Sequence, residues 1–257
     1  MPFTENISLA LRGLSANKLR AALTMLGIMI GVAAVITLLA IGDGVNRYIA
    51  DQFVGLGTNL IFVSPGDDPG LVESTLTISD AEILADPAVV PDAQAVAPVY
   101  FRGIELRYQG RVHESQMQAS TPDYGLIRDY EVARGRFIDD NDYSGRSRVA
   151  VLGPEAVTEL FPDDVDPLEA TIKINGIPFR VVGLLESKGG GTFGSRDDLV
   201  VLPLTTAQER LINARSQRTG AFLVDTILVQ AVSSDTVNDV VIDVTNALRQ
   251  AHNITFR

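Results

Sequence analysis

The 257-residue sequence predicts an α+β fold carried behind one membrane-crossing helix. Three observations point there. Residues 21–42 contain no charged side chain. Beyond them, short strand-like and helix-like stretches alternate irregularly, the pattern of an α+β domain rather than a regular βαβ repeat. Charge divides at the same boundary: residues 1–42 hold Arg12, Lys18 and Arg20 against Glu5, and the remainder holds 18 basic and 31 acidic residues. A head of +2 therefore precedes a body of −13, and the length leaves room for one large or two modest lobes.

Residues 1–20 read as an interfacial helix. Phe3, Ile7, Ala10, Leu11 and Leu14 recur at helical spacing, with Glu5, Ser8, Arg12 and Ser15 mostly on other faces, although Leu9 breaks the pattern. The next segment, Ala21 to Gly42, has 22 positions. At about 1.5 Å per residue it reaches roughly 33 Å, enough to cross a hydrocarbon core of about 30 Å. Ten of its residues are Leu, Ile or Val, each favouring insertion, and Thr24 and Thr37 can return their hydroxyls to the helix backbone. Two other readings compete. A buried core helix is usually shorter and less uniformly apolar, and a cleaved leader, to which Ala40 and Gly42 lend a small-residue site, has an apolar region of only about 7–15 residues. The basic flank precedes the span, so the N-terminus belongs in the cytoplasm and the acidic body outside it. Gly27 and Gly31, continued by Ala34, make a small face that lets helices approach closely, although glycine is common in membrane helices generally.

Past the span, Asn59–Ser64 reads as a strand closed by Pro65-Gly66, followed by a polar loop and a helix capped at Ser79. Ala93–Arg107 and Val112–Ala119 have strand character and meet at the turn Gln109-Gly110. Val149–Leu152 is a further strand, and Thr171–Leu185 a hairpin turning at Asn175-Gly176. Thr226–Ala231 reads as a strand, Ser234–Ala251 as a helix and Ile254–Phe256 as a last short strand.

Composition excludes several functions. A net charge of −11, a 6% aromatic share and no Trp argue against nucleic acid as a partner. Without cysteine there is no disulfide, thiolate metal site or cysteine nucleophile, and only His113 and His252 remain for imidazole chemistry. Lys188 precedes Gly189-Gly190-Gly191, the reverse of the phosphate-cradling order. Asp140, Asp142, Ser144 and Gly145 match the first half of a calcium loop, yet Val151 stands where the bidentate Glu is needed, so a solvated acidic turn is expected. His113 reads as an ordinary strand residue. No Gly-x-Ser-x-Gly elbow occurs, and neither catalysis nor a cofactor or metal is expected.

Taken in order, LRGLSANKLRAALTMLGIMIGVAAVITLLAIGDG, LGTNLIFVSPG, STPDY at Ser120, ARGRFIDDND at Ala133, RVAVLGPEAVTELFP at Arg148 and the stretch Ile172–Pro203 resemble the MacB-type ABC transporter permeases. These are related to the lipoprotein-release and FtsX permeases. The resemblance implies a periplasmic core domain hung behind the first membrane helix in the bacterial inner membrane. It implies a porter-like part from residues 43–119 and 222–257, and an inserted Sabre-like lobe from 120–221. It also implies ATP-driven export or mechanotransmission, with ATP hydrolysis on a separate ATPase subunit reached through the complete permease. A second permease copy or paired permease, membrane lipid and a periplasmic adaptor protein are the further partners it implies. Helix packing falls to Gly27, Gly31 and Ala34, and partner contact to the loop Gly189, Gly190, Gly191, Phe193 and Gly194. The family continues toward three more membrane helices, so the chain is expected to be one part of a permease. A single-pass scaffold or ligand-binding protein without an ATPase is the alternative, and an extracytoplasmic hydrolase ranks last.

Overall fold

The computed structural model describes residues 18–54, 59–65, 76–191, 194–195, 197–217 and 219–252; for residues 21, 40–54, 190–191 and 194–195 only the backbone is described. The chain divides into two compact units, Met1–Gly55 and Leu56–Arg257. The interfacial segment expected over residues 1–20 falls outside the described residues up to residue 17.

The first unit is helix α1, Lys18–Val54, 37 residues long. It contains the apolar run and continues well beyond Gly42. Its stretch Lys18–Leu39 is long and apolar enough to cross a membrane, and none of that stretch is buried by the chain itself. Leu23, Ile28, Val35 and Leu38 are all exposed. The two threonines behave as their chemistry dictates: Thr24 Oγ1 donates to Arg20 O at 2.9 Å and Thr37 Oγ1 to Ala33 O at 2.8 Å.

The second unit is built on a mixed sheet. In chain order its elements are β1 (Leu60–Val63), β2 (Leu76–Thr77), α2 (Ile78–Leu84), β3 (Ala93–Tyr108), β4 (Arg111–Ser120), α3 (Asp123–Ile127), β5 (Val132–Gly135), α4 (Asp140–Gly145) and β6 (Val149–Leu152). They continue with α5 (Pro154–Leu160), β7 (Thr171–Ile174), β8 (Ile177–Leu185), β9 (Gly190–Gly191), β10 (Gly194–Ser195), β11 (Leu199–Pro203), α6 (Leu204–Arg210), β12 (Leu223–Val224), β13 (Thr226–Ala231) and α7 (Val237–His252). Among the described residues nine strands form one sheet in the order β1-β13-β3-β4-β11-β6-β8-β5, with β7 bridging β3 and β8. Most pairs are antiparallel, but β11 runs parallel to β4 and β6 parallel to β8.

Both anticipated hairpins are present, for the anticipated reason. Gln109 and Gly110 have φ of 45° and 91°, and Asn175 and Gly176 of 47° and 84°. Two consecutive positive φ values match the twist of the joined strands, and Asn and Gly accept them at small steric cost. β3 serves two neighbours: its first half pairs β13, Val99 opposite Thr226, and its second half pairs β4 and the end of β7.

Strand alternation distributes side chains to two cores. In β6, Ala150 and Leu152 join one, with Val149 and Val151 in the other; in β11, Val200 and Leu202 oppose Leu199 and Val201 in the same way. The larger core includes Leu84, Leu160, Leu204, Val240 and Val244 from helices α2, α5, α6 and α7. The smaller takes Tyr124 and Ile127 from α3. In α7, Val240, Val244 and Ala247 are buried at helical spacing.

Two expectations change, and a third is not reached by the described residues. The cap of α2 is Thr77, not Ser79: the Asp80 carboxylate accepts from the Thr77 backbone N–H at 2.8 Å and from its hydroxyl at 2.9 Å. The acidic run is not a solvated turn but helix α4. Asp139 caps it by accepting from Asp142 N at 2.9 Å, and Asp142 is 5% exposed. Its burial is made possible by Arg136, whose Nη1 lies 2.5 Å from Asp142 Oδ2. The strand expected at Ile254–Phe256 lies outside the described residues.

Candidate functional site

Gly27 and Gly31 stand on α1 with open space where a Cβ would project, and Ala34 on the same helix is exposed. Among the described residues nothing covers Gly27 and Gly31 on this small face. A helix presenting such a face can bring a second backbone close, which larger side chains prevent.

The glycine-rich loop is a short antiparallel hairpin. Gly194 pairs Gly191 and Ser195 pairs Gly190, while Phe193 lies outside the described residues. Gly189 enters it with φ of 78° and open space around its Cα, a conformation that glycine adopts readily. The base of the hairpin is tied to the domain from both sides. The Asp197 carboxylate accepts from Ser187 Oγ at 2.5 Å and from Lys188 N at 2.8 Å, closing the two stems on one another. The neighbouring Asp198 accepts from His113 Nε2 on β4 at 2.9 Å. Lys188 Nζ donates to Arg128 O at 2.8 Å and sits 5.1 Å from the centre of the Tyr130 ring.

Below that lysine lies a tyrosine pair. Tyr124 and Tyr130 meet edge to face with ring centroids 5.8 Å apart, and their hydroxyls donate to one acceptor, Gln118 Oε1, at 2.8 and 3.1 Å. Burial above all, with Tyr130 beside it, pushes the Tyr124 phenol well above its ordinary range. Tyr124 is therefore a fixed donor rather than a group that ionises. Gly153, ahead of α5, receives the backbone of the outgoing stem: a Cβ there would lie 2.2 Å from Asp197 O. The arrangement ties the stems of a short hairpin to the domain, and its polar groups serve structure.

The other candidate chemistry is structural as well. Asp142, whose position invited a calcium reading, is engaged by Arg136 and by the cap of α4. Burial raises its carboxyl, but the Arg136 guanidinium and the Asp139 backbone together hold it below the usual carboxylate range. Among the described residues no group of three or more His, Asp and Glu is placed to hold a metal ion. The hairpin's fastening through Asp197, Asp198 and His113 escaped the sequence reading. Ser187 and Asp197 flanking the glycines were the local signal that could have shown it.

An apolar helix long enough to cross a membrane, followed by a mixed α+β domain, defines the class of α+β protein that the described residues form. Residues 21–247 match the model of the MacB-like periplasmic core domain, and the chain belongs to that family. Its curated relatives include the macrolide export ATP-binding/permease protein MacB of Rhodospirillum rubrum, 40% identical over 83% of this chain and 33% of that protein. The protein of the same name from Brucella melitensis is 34% identical over 97% of this chain and 38% of its own. The pyoverdine export ATP-binding/permease protein PvdT of Pseudomonas syringae pv. tomato is 31% identical over 82% and 32%. The chain thus spans about a third of the length of these relatives.

The fold resembles two solved domains. The extracellular domain of the noncanonic ABC-type transporter YknZ from Gram-positive bacteria superposes with a TM-score of 0.61 at 19% identity, covering 77% of this chain and 96% of that one. The periplasmic region of MacB from Actinobacillus actinomycetemcomitans gives 0.61 at 23% identity, covering 77% and 86%.

Proposed function

We propose that the chain is the extracytoplasmic core of an ATP-driven export permease, anchored in the inner membrane by α1 with its N-terminus in the cytoplasm. One observation carries the reading: the family match spans residues 21–247, from the apolar helix through the sheet domain. ATP binding and hydrolysis fall to another part of the transporter. The domain's task is mechanical: movement of the membrane helices changes how two outer domains face one another, and with them the passage of cargo.

Within that reading the division into a porter-like part, residues 43–119 with 222–257, and a Sabre-like insert, 120–221, is retained as a proposal. It is supported by β1 and β13, from the two ends of the domain, pairing side by side. The Gly27, Gly31 and Ala34 face serves the pairing of two permeases, and the Gly189–Gly194 hairpin serves contact with an adaptor protein. Lipid surrounds α1.

A chimera tests the proposal. Residues 18–252 replace the matching segment of a MacB permease in a drug-sensitive strain, with membrane insertion checked by fractionation. Restored macrolide resistance is the expected result. A chimera that inserts and hydrolyses ATP but gives no export activity contradicts it.

A further inference from the structure

Where α6 ends, the domain forms a pocket of about 540 Å³ whose wall carries three guanidinium groups, Arg146, Arg210 and Arg215, against one carboxylate, Glu209. Local structure accounts for each position. Arg146 is the left-handed residue, φ 51°, that terminates α4. Arg210 closes the last turn of α6. Arg215 lies 3.6 Å over the Phe222 ring and its Nη1 donates to Gly220 O at 2.9 Å, which fixes its plane. Glu209 is shared loosely, 3.5 Å from Arg146 Nη1 and 3.8 Å from Arg210 Nε. The pocket wall is thus cationic on a molecule whose net charge is −11.

Gln208 also lines the pocket and is only 5% exposed, yet its Nε2 has no hydrogen-bond partner. A buried amide nitrogen without an acceptor is costly, and folded proteins keep few of them. The neighbouring Thr205 hydroxyl is already committed to Tyr143 O at 2.5 Å. The Gln208 nitrogen is itself closed off from solvent, so the donors facing the pocket are its guanidinium groups.

We propose that this pocket binds a small oxyanion-bearing molecule, a carboxylate or a phosphate ester. Arg146 and Arg210 hold the anionic group, and the Arg215-Phe222 stack forms the wall against its organic part. Guanidinium forks match the paired oxygens of both anions, and the volume lies in the usual range of small-molecule sites, about 300–1,000 Å³. A metal cation is excluded by the same donors. An extended polyanion is disfavoured by the chain's net charge of −11, whereas a small anion needs to meet only the local field.

The test uses the full chain in detergent micelles, titrated calorimetrically with inorganic phosphate and, separately, with citrate at constant ionic strength, with chloride as control. Saturable one-to-one binding of at least one anion is expected; which of the two binds distinguishes phosphate from carboxylate chemistry. Affinity falls about tenfold or more in Arg210→Gln and in Arg146→Gln, each the loss of one charge-assisted bond. Arg210 is 55% exposed, so its replacement leaves the fold intact. No saturable binding of either anion overturns the proposal. So does binding that survives both substitutions.

Discussion

His252 Nε2 donates to Asp80 Oδ1 at 2.9 Å, joining the last turn of α7 to the first turn of α2. The other oxygen of the same carboxylate accepts from the backbone and hydroxyl of Thr77. Asp80 is 4% exposed, so one buried carboxylate both caps a helix and fastens the last described helix to it. Loss of the two ends of this contact is unequal. His252→Ala removes one partner and costs about 1–2 kcal/mol, whereas Asp80→Ala removes the cap and the fastening together and costs about 2–4 kcal/mol. Urea unfolding of the two variants measures the difference; equal costs contradict the double role.

Asp142 sets a dependence on pH. Its carboxyl is held below the ordinary aspartate value of about 3.9, so the stabilisation it provides is complete above that value and is lost as pH falls through the lower, folded value. Melting temperatures of the natural protein and of Asp142→Asn, followed from neutral to strongly acid pH, are expected to differ by a constant gap that closes in acid. A gap that persists unchanged at the acid end refutes the assignment.

Gly153 is required by space rather than by backbone conformation, since its φ of −72° and ψ of 156° suit any residue. The added methyl of Gly153→Ala meets the Asp197 carbonyl and forces the stem of the hairpin outward, costing about 1–3 kcal/mol. Hydrogen exchange reads the effect: the amides of Lys188 and Leu199 lose protection in the variant, and unchanged protection there contradicts the contact.

On α1, Gly27→Leu with Gly31→Leu fills the small face without lowering apolarity. In lipid vesicles the pairing of two labelled chains, read by energy transfer, is expected to fall several-fold, with insertion unaffected. Pairing of undiminished strength places the interface elsewhere.

The parts of this fold that a reader of the sequence can see are those settled by near neighbours. Asn175-Gly176 declares its turn because two adjacent positive φ values leave few other residue choices, and Gln109-Gly110 does so through its glycine; α7 declares itself through Val240, Val244 and Ala247. Thr77 was legible too, since Asp80 three positions on completes a capping box, but Ser79 offers a hydroxyl at nearly the same place and periodicity cannot choose between them. Pairings between distant segments were not legible. Leu60 lies opposite Gln230, and Leu199 runs parallel with Gln116; nothing local in either segment names its partner. The acidic run around Asp142 looked solvated because its charge count is visible, whereas the alignment of Arg136 toward it is a property of the folded backbone. At the hairpin the glycines were visible as a loop, and the bond from His113 to Asp198 across the domain was not.

The claim on which the functional account rests is that the sheet domain lies across the membrane from the N-terminus. The natural sequence has no cysteine, so single cysteines introduced at Ser8 and at Gln109, in the β3-β4 turn, are unique labels. In cells with a permeabilised outer membrane and an intact inner one, a membrane-impermeant maleimide is expected to modify Gln109→Cys at once and Ser8→Cys only after the inner membrane is lysed. Labelling in the reverse order, or labelling of both before lysis, contradicts the account.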